Sequence, residues 1–154
     1  MHVLSVGVSE YHDADLRLKH SARDAQDLAS ELEKRGRALF PRGVQVKLLP
    51  DREATVKNIE AAFDELSKGF KPEDTFVLFL AGHGQTSLDG GCYFLPWEIE
   101  YDSEEALKKQ GFGEDRLHKM MARMPARSLT LLDTCRSGTA LMLAARAAEE
   151  RGAI

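Results

Sequence analysis

Two short motifs in the sequence contain side chains that could act together as a nucleophile and its base. Residues 82–84 read Gly-His-Gly, and residues 133–138 read Asp-Thr-Cys-Arg-Ser-Gly. A cysteine attacks as the thiolate, so it needs a neighbour that takes its proton and later returns one to a leaving amine. Imidazole titrates near the pH at which both transfers are possible. We therefore expect His83 and Cys135 to form a thiolate and imidazole pair.

The backbone around this pair could supply the remaining parts of an acyl-transfer site. Gly82 and Gly84 leave His83 uncrowded, and Gly84 could offer its N–H to the oxyanion that forms during attack. The N–H of Cys135 could be the second oxyanion donor, and a helix that begins near Ser137 would stabilise the thiolate through its dipole. A lone cysteine or histidine is usually a packing or surface residue. Two such motifs that each end a central strand are rarely explained by packing alone.

The elements that must position this pair follow from the hydrophobic periodicity. Apolar or alternating runs predict strands over residues 2–8, 44–49, 76–81 and 128–132, and helical periodicity predicts helices over 21–36, 55–70, 117–124 and 139–150. The first helix is expected to stop at Gly36. Residues 86–113 form a polar insertion, in which 88–91 could turn a hairpin into a short strand over 92–95.

The alternation of strands and helices predicts an α/β fold with a mostly parallel central sheet and helices on both faces. Parallel neighbours need crossover connections, and those connections cover the sheet. In such folds the chemistry lies outside the carboxyl ends of the strands. His83 follows the strand predicted over 76–81, and Cys135 follows the strand predicted over 128–132. Both are therefore expected at the same edge of the sheet.

Length and composition limit the class of protein. The 154 residues are enough for one domain with one core. The 21 basic residues are interspersed among 25 acidic ones, for a net charge of −4, so we expect no nucleic-acid partner. No apolar stretch is long enough to span a bilayer and no secretory leader is visible, so we expect no membrane partner. The two cysteines need not form a disulfide in a domain of this size, which favours a reducing, cytoplasmic location.

The other reactive side chains show no pattern of a site. Four further histidines and Cys92 have no cysteine or carboxylate at metal-site spacing, so no metal and no cofactor is expected. Trp97 could contact a substrate or partner, or could equally be a buried anchor. Residues 9–12, after the first strand, read Ser-Glu-Tyr-His and contain no phosphate-binding glycine motif. This argues against a nucleotide-binding domain.

The two motifs resemble those of the caspase-like cysteine peptidases, the family of caspases, metacaspases and their bacterial relatives. Residues 81–84, Ala-Gly-His-Gly, are similar to the family's histidine motif, and residues 133–138 to its Asp-x-Cys-x-Ser-Gly motif, in the form typical of metacaspases and bacterial members. The spacing of about fifty residues, the opening strand, the helix start at 21–25 and the Leu-Pro at 95–96 also fit, so the resemblance covers essentially the whole chain. It implies a three-layer caspase-like fold and a cysteine endopeptidase that cleaves polypeptides through His83 and Cys135.

The resemblance also suggests which side chain the substrate carries before the scissile bond. In metacaspase-like enzymes an aspartate beside the nucleophile, matched here by Asp133, selects Arg or Lys together with a second aspartate near the start of the first helix, for which Asp24 is the candidate. An acidic group in a desolvated pocket would leave an anionic side chain uncompensated. Two alternatives stay open. In the first, Asp133 caps a turn and Asp24 is a solvated acid at a helix start, and neither contacts substrate. In the second, the enzyme cleaves after Asp as animal caspases do, and Arg17, Lys19 or Arg23 binds that side chain.

The sequence departs from the family pattern in two ways. The loop after His83 has no dense acidic run with ligand-like spacing, so calcium is not implied. Family domains continue after the cysteine-bearing helix with strands that complete the sheet, whereas this chain ends at Ile154. We therefore expect the large-subunit portion of a catalytic domain, with a C-terminal small subunit or the remaining segment of the same protein as its partner. The alternatives are a shortened form, a reduced member with altered function, or a pseudopeptidase scaffold that binds partner proteins.

Overall fold

The computed structural model describes residues 1–100, 102–125 and 127–134. Its strands are β1 (His2–Gly7), β2 (Gln45–Pro50), β3 (Thr75–Gly82), β4 (Gly84–Thr86), β5 (Cys92–Phe94), β6 (Phe112–Gly113) and β7 (Arg127–Thr134). Its α-helices are α1 (Ser21–Leu39), α2 (Val56–Ser67), α3 (Glu104–Gln110) and α4 (Glu114–Met121). Two single turns of 3-10 helix, Ala14–Leu16 and Asp51–Glu53, lie in the connections that follow β1 and β2.

Four strands form one parallel sheet in the order β2-β1-β3-β7. β1 and β3 lie in the middle, and β1 is buried along its whole length, as is all of β3 after Thr75. Apolar runs without polar alternation suit this position, because both faces of such a strand are covered. The predicted α/β fold with a mostly parallel central sheet is confirmed.

Helices cover both faces of this sheet. α2 and α4 pack on the face that includes Leu4 and Leu78. α1 packs on the other face, where Ala25 meets Phe79 and Ala81. Alternate residues of one strand point to opposite faces, so a single apolar run serves both helix layers. No helix within the described ranges is long and apolar enough to cross a bilayer.

α1 does not stop at Gly36, so that part of the prediction is wrong. The helix runs on to Leu39, and the Phe40 N–H closes it on the Gly36 carbonyl at 2.9 Å. Gly36 is buried, and a Cβ there would lie 2.8 Å from atoms of both the Met1 and the Val44 side chains. A side chain at this position would require Met1 and Val44 to shift, because α1 passes close to the segments that lead into β1 and β2.

The polar insertion contains more secondary structure than the sequence predicts. β4, β5 and β6 form a small antiparallel sheet, and the predicted hairpin joins β4 to β5. α3 was not predicted, although Ser103 caps it by accepting the Ala106 N–H at 3.1 Å. α4 begins at Glu114, three residues before the predicted start of that helix. The helix predicted over 139–150 lies outside the described residues.

A buried polar cluster ties the start of β3 to the start of β1, at the end of the sheet far from His83. Asp74 is 5% exposed and accepts hydrogen bonds from the Lys71 N–H at 3.0 Å and from His2 Nε2 at 3.1 Å. It also pairs with Arg42. Burial raises the pKa of Asp74, but the hydrogen bonds from these three residues outweigh burial and hold that pKa below its usual value.

We expect Asp74→Ala to lower the free energy of unfolding by about 3 kcal/mol, because His2 and Arg42 lose their carboxylate partner. The matched control is Asp64→Ala. Asp64 pairs with Arg123 at the surface, and loss of that pair should cost less than about 1 kcal/mol. Urea unfolding of both variants measures the difference, and equal losses would contradict the assignment.

The same cluster gives the stability a defined pH dependence. A carboxyl whose folded-state pKa is depressed stabilises the protein above its unfolded pKa, which is about 4, and this stabilisation disappears as the pH falls through the lower folded pKa. We therefore expect the stability gap between the unsubstituted protein and Asp74→Ala to narrow below about pH 4. A gap that stays constant there would show that the Asp74 charge is not its source.

Candidate active site

His83 lies at the carboxyl end of β3, in the single-residue step between β3 and β4. Gly82 has a φ of +154°, and a Cβ there would lie 2.7 Å from the Tyr11 hydroxyl and 3.1 Å from the Phe94 ring. A side chain at this position would be both strained and crowded. The glycine therefore allows the chain to turn out of the sheet with the His83 backbone against Tyr11.

Two groups of the connection between β1 and α1 hold His83. The His83 N–H donates to the Tyr11 hydroxyl at 2.8 Å, and His83 Nε2 lies 2.9 Å from the Leu16 carbonyl oxygen. A carbonyl oxygen only accepts hydrogen bonds, so Nε2 carries the proton and Nδ1 of the neutral ring keeps its lone pair. The Tyr11 and His83 rings are also in contact, with their centroids 5.2 Å apart. The half-buried imidazole is thus oriented to act as a base through Nδ1.

The connection that carries Tyr11 is itself anchored at its start. Asp51 accepts the backbone N–H groups of Ser9 and Glu10, each at 2.8 Å. Trp97 donates its indole N–H to the Glu10 carbonyl at 2.7 Å. Trp97 is half-buried against the main hydrophobic cluster, so it serves as an anchor here, and its contact with a substrate or partner stays a prediction. Sequence reasoning gave Asp51 no role, and no motif around it indicates one.

Cys135 lies outside the described residues, so its role remains a prediction. Thr134, the residue before it, ends β7 and pairs with Gly82 across the sheet. His83 follows Gly82 directly, as Cys135 follows Thr134. β3 and β7 therefore end level with each other, each one residue before a member of the expected pair.

Gly84, the predicted oxyanion donor, is the first residue of β4. The Leu95 N–H donates to the His83 carbonyl at 2.9 Å, which makes His83 a hydrogen-bonded position of the ladder between β4 and β5. Backbone groups alternate between the two edges of an antiparallel strand. By this alternation we expect the N–H of Gly84 on the edge away from β5, where it is not used by the ladder. The second predicted donor, the Cys135 N–H, lies outside the described residues.

A groove between α1 and β7 brings the two predicted specificity residues together. Its volume is about 550 Å³, and its lining consists of Asp24, Asp27, Leu28, Glu31, Phe79, Leu131, Leu132 and Asp133. We call it the acidic groove, because acidic side chains surround an apolar floor and its described lining includes no basic residue.

The four acids of the acidic groove differ in whether they are already paired. Asp27 lies 3.6 Å from Arg23, and Glu31 lies 2.5 Å from Arg35, whose hydrogen bond lowers the Glu31 pKa. Asp24 and Asp133 are exposed, and neither has an ion-pair partner in the part of the chain that the structure describes. These two carboxylates are therefore the ones able to receive a cationic ligand.

A second cleft, of about 590 Å³, is lined by residues of α2, α3, α4 and the small sheet. Its charges largely neutralise one another. Lys108 pairs with Asp89 at 2.6 Å and Arg116 with Glu60 at 2.5 Å. The hydrogen bond from Lys108 lowers the pKa of Asp89 to about 2. Two of its three bases are thus paired with its acids, and the four acids and three bases of the lining leave a net charge of only −1, so we assign this cleft no site.

Comparison with models of known protein families identifies the family of this chain. The caspase domain of the peptidase C14 family matches the chain over residues 1–152. The chain belongs to the caspase domain family. No curated protein gives a significant match to the chain.

A solved structure shows the same fold. The crystal structure of a Geobacter sulfurreducens protein, a structural genomics target, superposes with a TM-score of 0.67 at 22% sequence identity. The match covers 94% of this caspase domain and 53% of that chain. This chain therefore spans about half the length of the structure that it resembles.

Proposed function

We propose that this caspase domain is a cysteine endopeptidase in which His83 and Cys135 cleave polypeptides, with a preference for Arg or Lys before the scissile bond. One observation carries the proposal. The Leu16 carbonyl engages His83 Nε2 at 2.9 Å, which leaves Nδ1 as the base at the edge of the sheet where β7 leads into Cys135. No residue in the described ranges bonds Nδ1, so the ring is held through one nitrogen and the other is available as a base.

In the proposed reaction, the Cys135 thiol transfers its proton to His83 Nδ1, and the thiolate attacks the carbonyl carbon of the scissile peptide. The carbonyl oxygen becomes an oxyanion, which the N–H groups of Gly84 and Cys135 stabilise. The His83 imidazolium then donates its proton to the leaving amine as the C–N bond breaks. A thioester on Cys135 and a free amine result.

Hydrolysis of the thioester completes the proposed cycle. The leaving amine departs, and a water molecule takes its place beside His83. Nδ1 accepts a proton from this water while the oxygen attacks the thioester carbonyl, and the second oxyanion uses the same two N–H donors. Cys135 leaves with its proton restored. Throughout, the Leu16 carbonyl would keep Nε2 protonated and the ring in place.

We further propose that residues 1–154 are one catalytic unit, the large-subunit portion, and that additional chain completes its sheet. β7 is at one end of the sheet formed by the described strands, and Leu129 on it is 50% exposed. An unpaired strand edge with exposed apolar side chains favours a further strand beside it. We propose that this additional strand belongs either to a C-terminal small subunit or to a later segment of the same protein.

We also propose a cytoplasmic location. Cys92 is a free thiol, and the mechanism needs a second free thiol at Cys135, so a reducing compartment is favoured.

The proposal is tested by labelling with a peptide electrophile that ends in arginine and alkylates an activated cysteine. The protein is used with its full C-terminal chain, and mass spectrometry locates the adduct. We expect the adduct at Cys135 and not at Cys92, because Cys92 is half-buried and none of its described contacts is with a histidine. We also expect the labelling rate to fall at least about a hundredfold in His83→Ala.

Cys92→Ser is the control for this experiment, and it should label like the unsubstituted protein. Equal labelling of both cysteines, or labelling that does not depend on His83, would overturn the peptidase proposal. The domain would then be better described as a scaffold that retains the fold without the chemistry.

A further inference from the structure

We propose that Tyr11 is the positioning residue for His83, and that its hydroxyl, through the Gly82–His83 peptide, sets the direction of the imidazole. The inference rests on the proposed function, because the direction of the ring matters for catalysis only if His83 is the base. Neither the family match nor the two sequence motifs assign a role to Tyr11.

The hydroxyl of Tyr11 replaces a hydrogen bond that the small sheet would otherwise make. The β4–β5 register begins with Gly84 opposite Phe94, and its continuation by one residue would bring His83 opposite Leu95, whose N–H donates to the His83 carbonyl at 2.9 Å. In a regular antiparallel ladder the His83 N–H would donate back to Leu95. Here it donates to the Tyr11 hydroxyl at 2.8 Å instead. Tyr11 therefore takes the His83 N–H, while the His83 carbonyl stays bonded to Leu95.

The same connection also holds the far end of the His83 side chain. Leu16, five residues after Tyr11, presents its carbonyl to Nε2 at 2.9 Å. One short stretch of chain thus fixes His83 at its backbone and at its ring. If the backbone contact is lost, the Gly82–His83 peptide can rotate, and Nε2 moves relative to the Leu16 carbonyl.

Packing alone does not account for a tyrosine at this position. Tyr11 is 3% exposed and belongs to the main hydrophobic cluster, where a phenylalanine ring would fill the same space. Only the hydroxyl reaches the His83 N–H. It lies so close to Gly82 that a Cβ there would be 2.7 Å from the oxygen. The tyrosine hydroxyl and the absent side chain of Gly82 are therefore parts of one arrangement.

The test compares Tyr11→Phe with Tyr93→Phe, a matched loss of a hydroxyl in the second cleft. We expect Tyr11→Phe to lower kcat for peptide cleavage between about tenfold and a hundredfold, with KM changed less than about twofold, because orientation of the base and not substrate binding is affected. Tyr93→Phe should change neither constant. Thermal unfolding of both variants confirms that they are folded.

A second measurement does not depend on activity. In the Cys135→Ser background, ¹⁵N chemical shifts of the His83 ring report which nitrogen carries the proton. We expect a single tautomer protonated at Nε2 with Tyr11 present, a mixture of tautomers in Tyr11→Phe, and no change in Tyr93→Phe.

The two measurements separate failure of this inference from failure of the proposed function. A Tyr11→Phe variant with unchanged kcat and a single tautomer would overturn the positioning role, whatever the activity of the unsubstituted protein. If no peptide is cleaved but the tautomer changes in Tyr11→Phe, positioning is supported and the peptidase proposal fails. A KM increase with an unchanged kcat would also count against positioning.

Discussion

His83→Ala is expected to lower kcat/KM for peptide cleavage by about a thousandfold or more, while the domain stays folded. The substitution removes both the base that ionises the thiol and the acid that protonates the leaving amine, and each transfer contributes about a hundredfold to ten-thousandfold. The structural cost is small. The ring is half-buried, and its loss removes one hydrogen bond to the Leu16 carbonyl, worth about 1 kcal/mol.

His118→Ala is the matched control, since His118 is an exposed residue of α4 on a different part of the domain. It should retain full activity. The double variant of His83→Ala with Cys135→Ala should be no less active than the single variants, because two residues that act as a unit do not lose activity additively. More than about a tenth of the activity left in His83→Ala would exclude His83 as the base.

The strands that position His83 could be predicted because buried strands consist almost entirely of apolar side chains. Residues 76–81 are apolar throughout, and the structure makes them part of a central strand covered on both faces. Parallel pairing then fixes where the chain must emerge from the sheet. Both site residues that we expect, His83 and Cys135, were inferred in this way, since each follows such a run, and their catalytic role stays a prediction. Helix boundaries were less predictable. The glycine at position 36 fits a close tertiary contact with Met1 and Val44 and does not mark the end of the helix.

The groups that hold His83 could not be predicted. The Leu16 carbonyl is a backbone atom, and every residue type carries one, so nothing in the sequence marks it. Tyr11 carries a usable hydroxyl, but its partner is 72 residues away and is also a backbone group. α3 was missed for a different reason. Only Leu107 of this helix is buried, so no apolar stripe indicates it, although the Ser103 cap and the charges of its first and last turns were readable signals.

The acidic groove leads to the second prediction with a large effect, which concerns the substrate's charge. Asp133 pairs with Ala81 near the carboxyl end of the sheet, and Asp24 lies in the first turn of α1. Both line the groove, and neither has an ion-pair partner in the described ranges. Within the described lining, a substrate cation gains two carboxylates that have no ion-pair partner there, whereas a substrate carboxylate meets only like charge.

We expect Asp133→Asn to lower kcat/KM about a hundredfold for peptides with Arg before the scissile bond, and to leave the matching citrulline peptides nearly unaffected. Asp133 is exposed in the free groove, and a bound peptide would cover it; loss of one partner of a charge pair desolvated in this way costs about 2 to 5 kcal/mol, which covers this factor. Citrulline keeps the shape of arginine without its charge, so the ratio of the two peptides isolates the electrostatic part. Asp24→Asn should lower the same ratio.

Asp27→Asn is the control, because Asp27 lines the same groove but already pairs with Arg23 at 3.6 Å. Its effect on the ratio should stay within about threefold, as expected for an exposed ion pair. If Asp133→Asn and Asp27→Asn act alike, the groove contributes only its overall negative field, and no specific contact to the substrate is made. Cleavage of peptides with Asp at this position would refute the prediction altogether, since a second carboxylate beside Asp133 and Asp24 would find no compensating charge in the described lining.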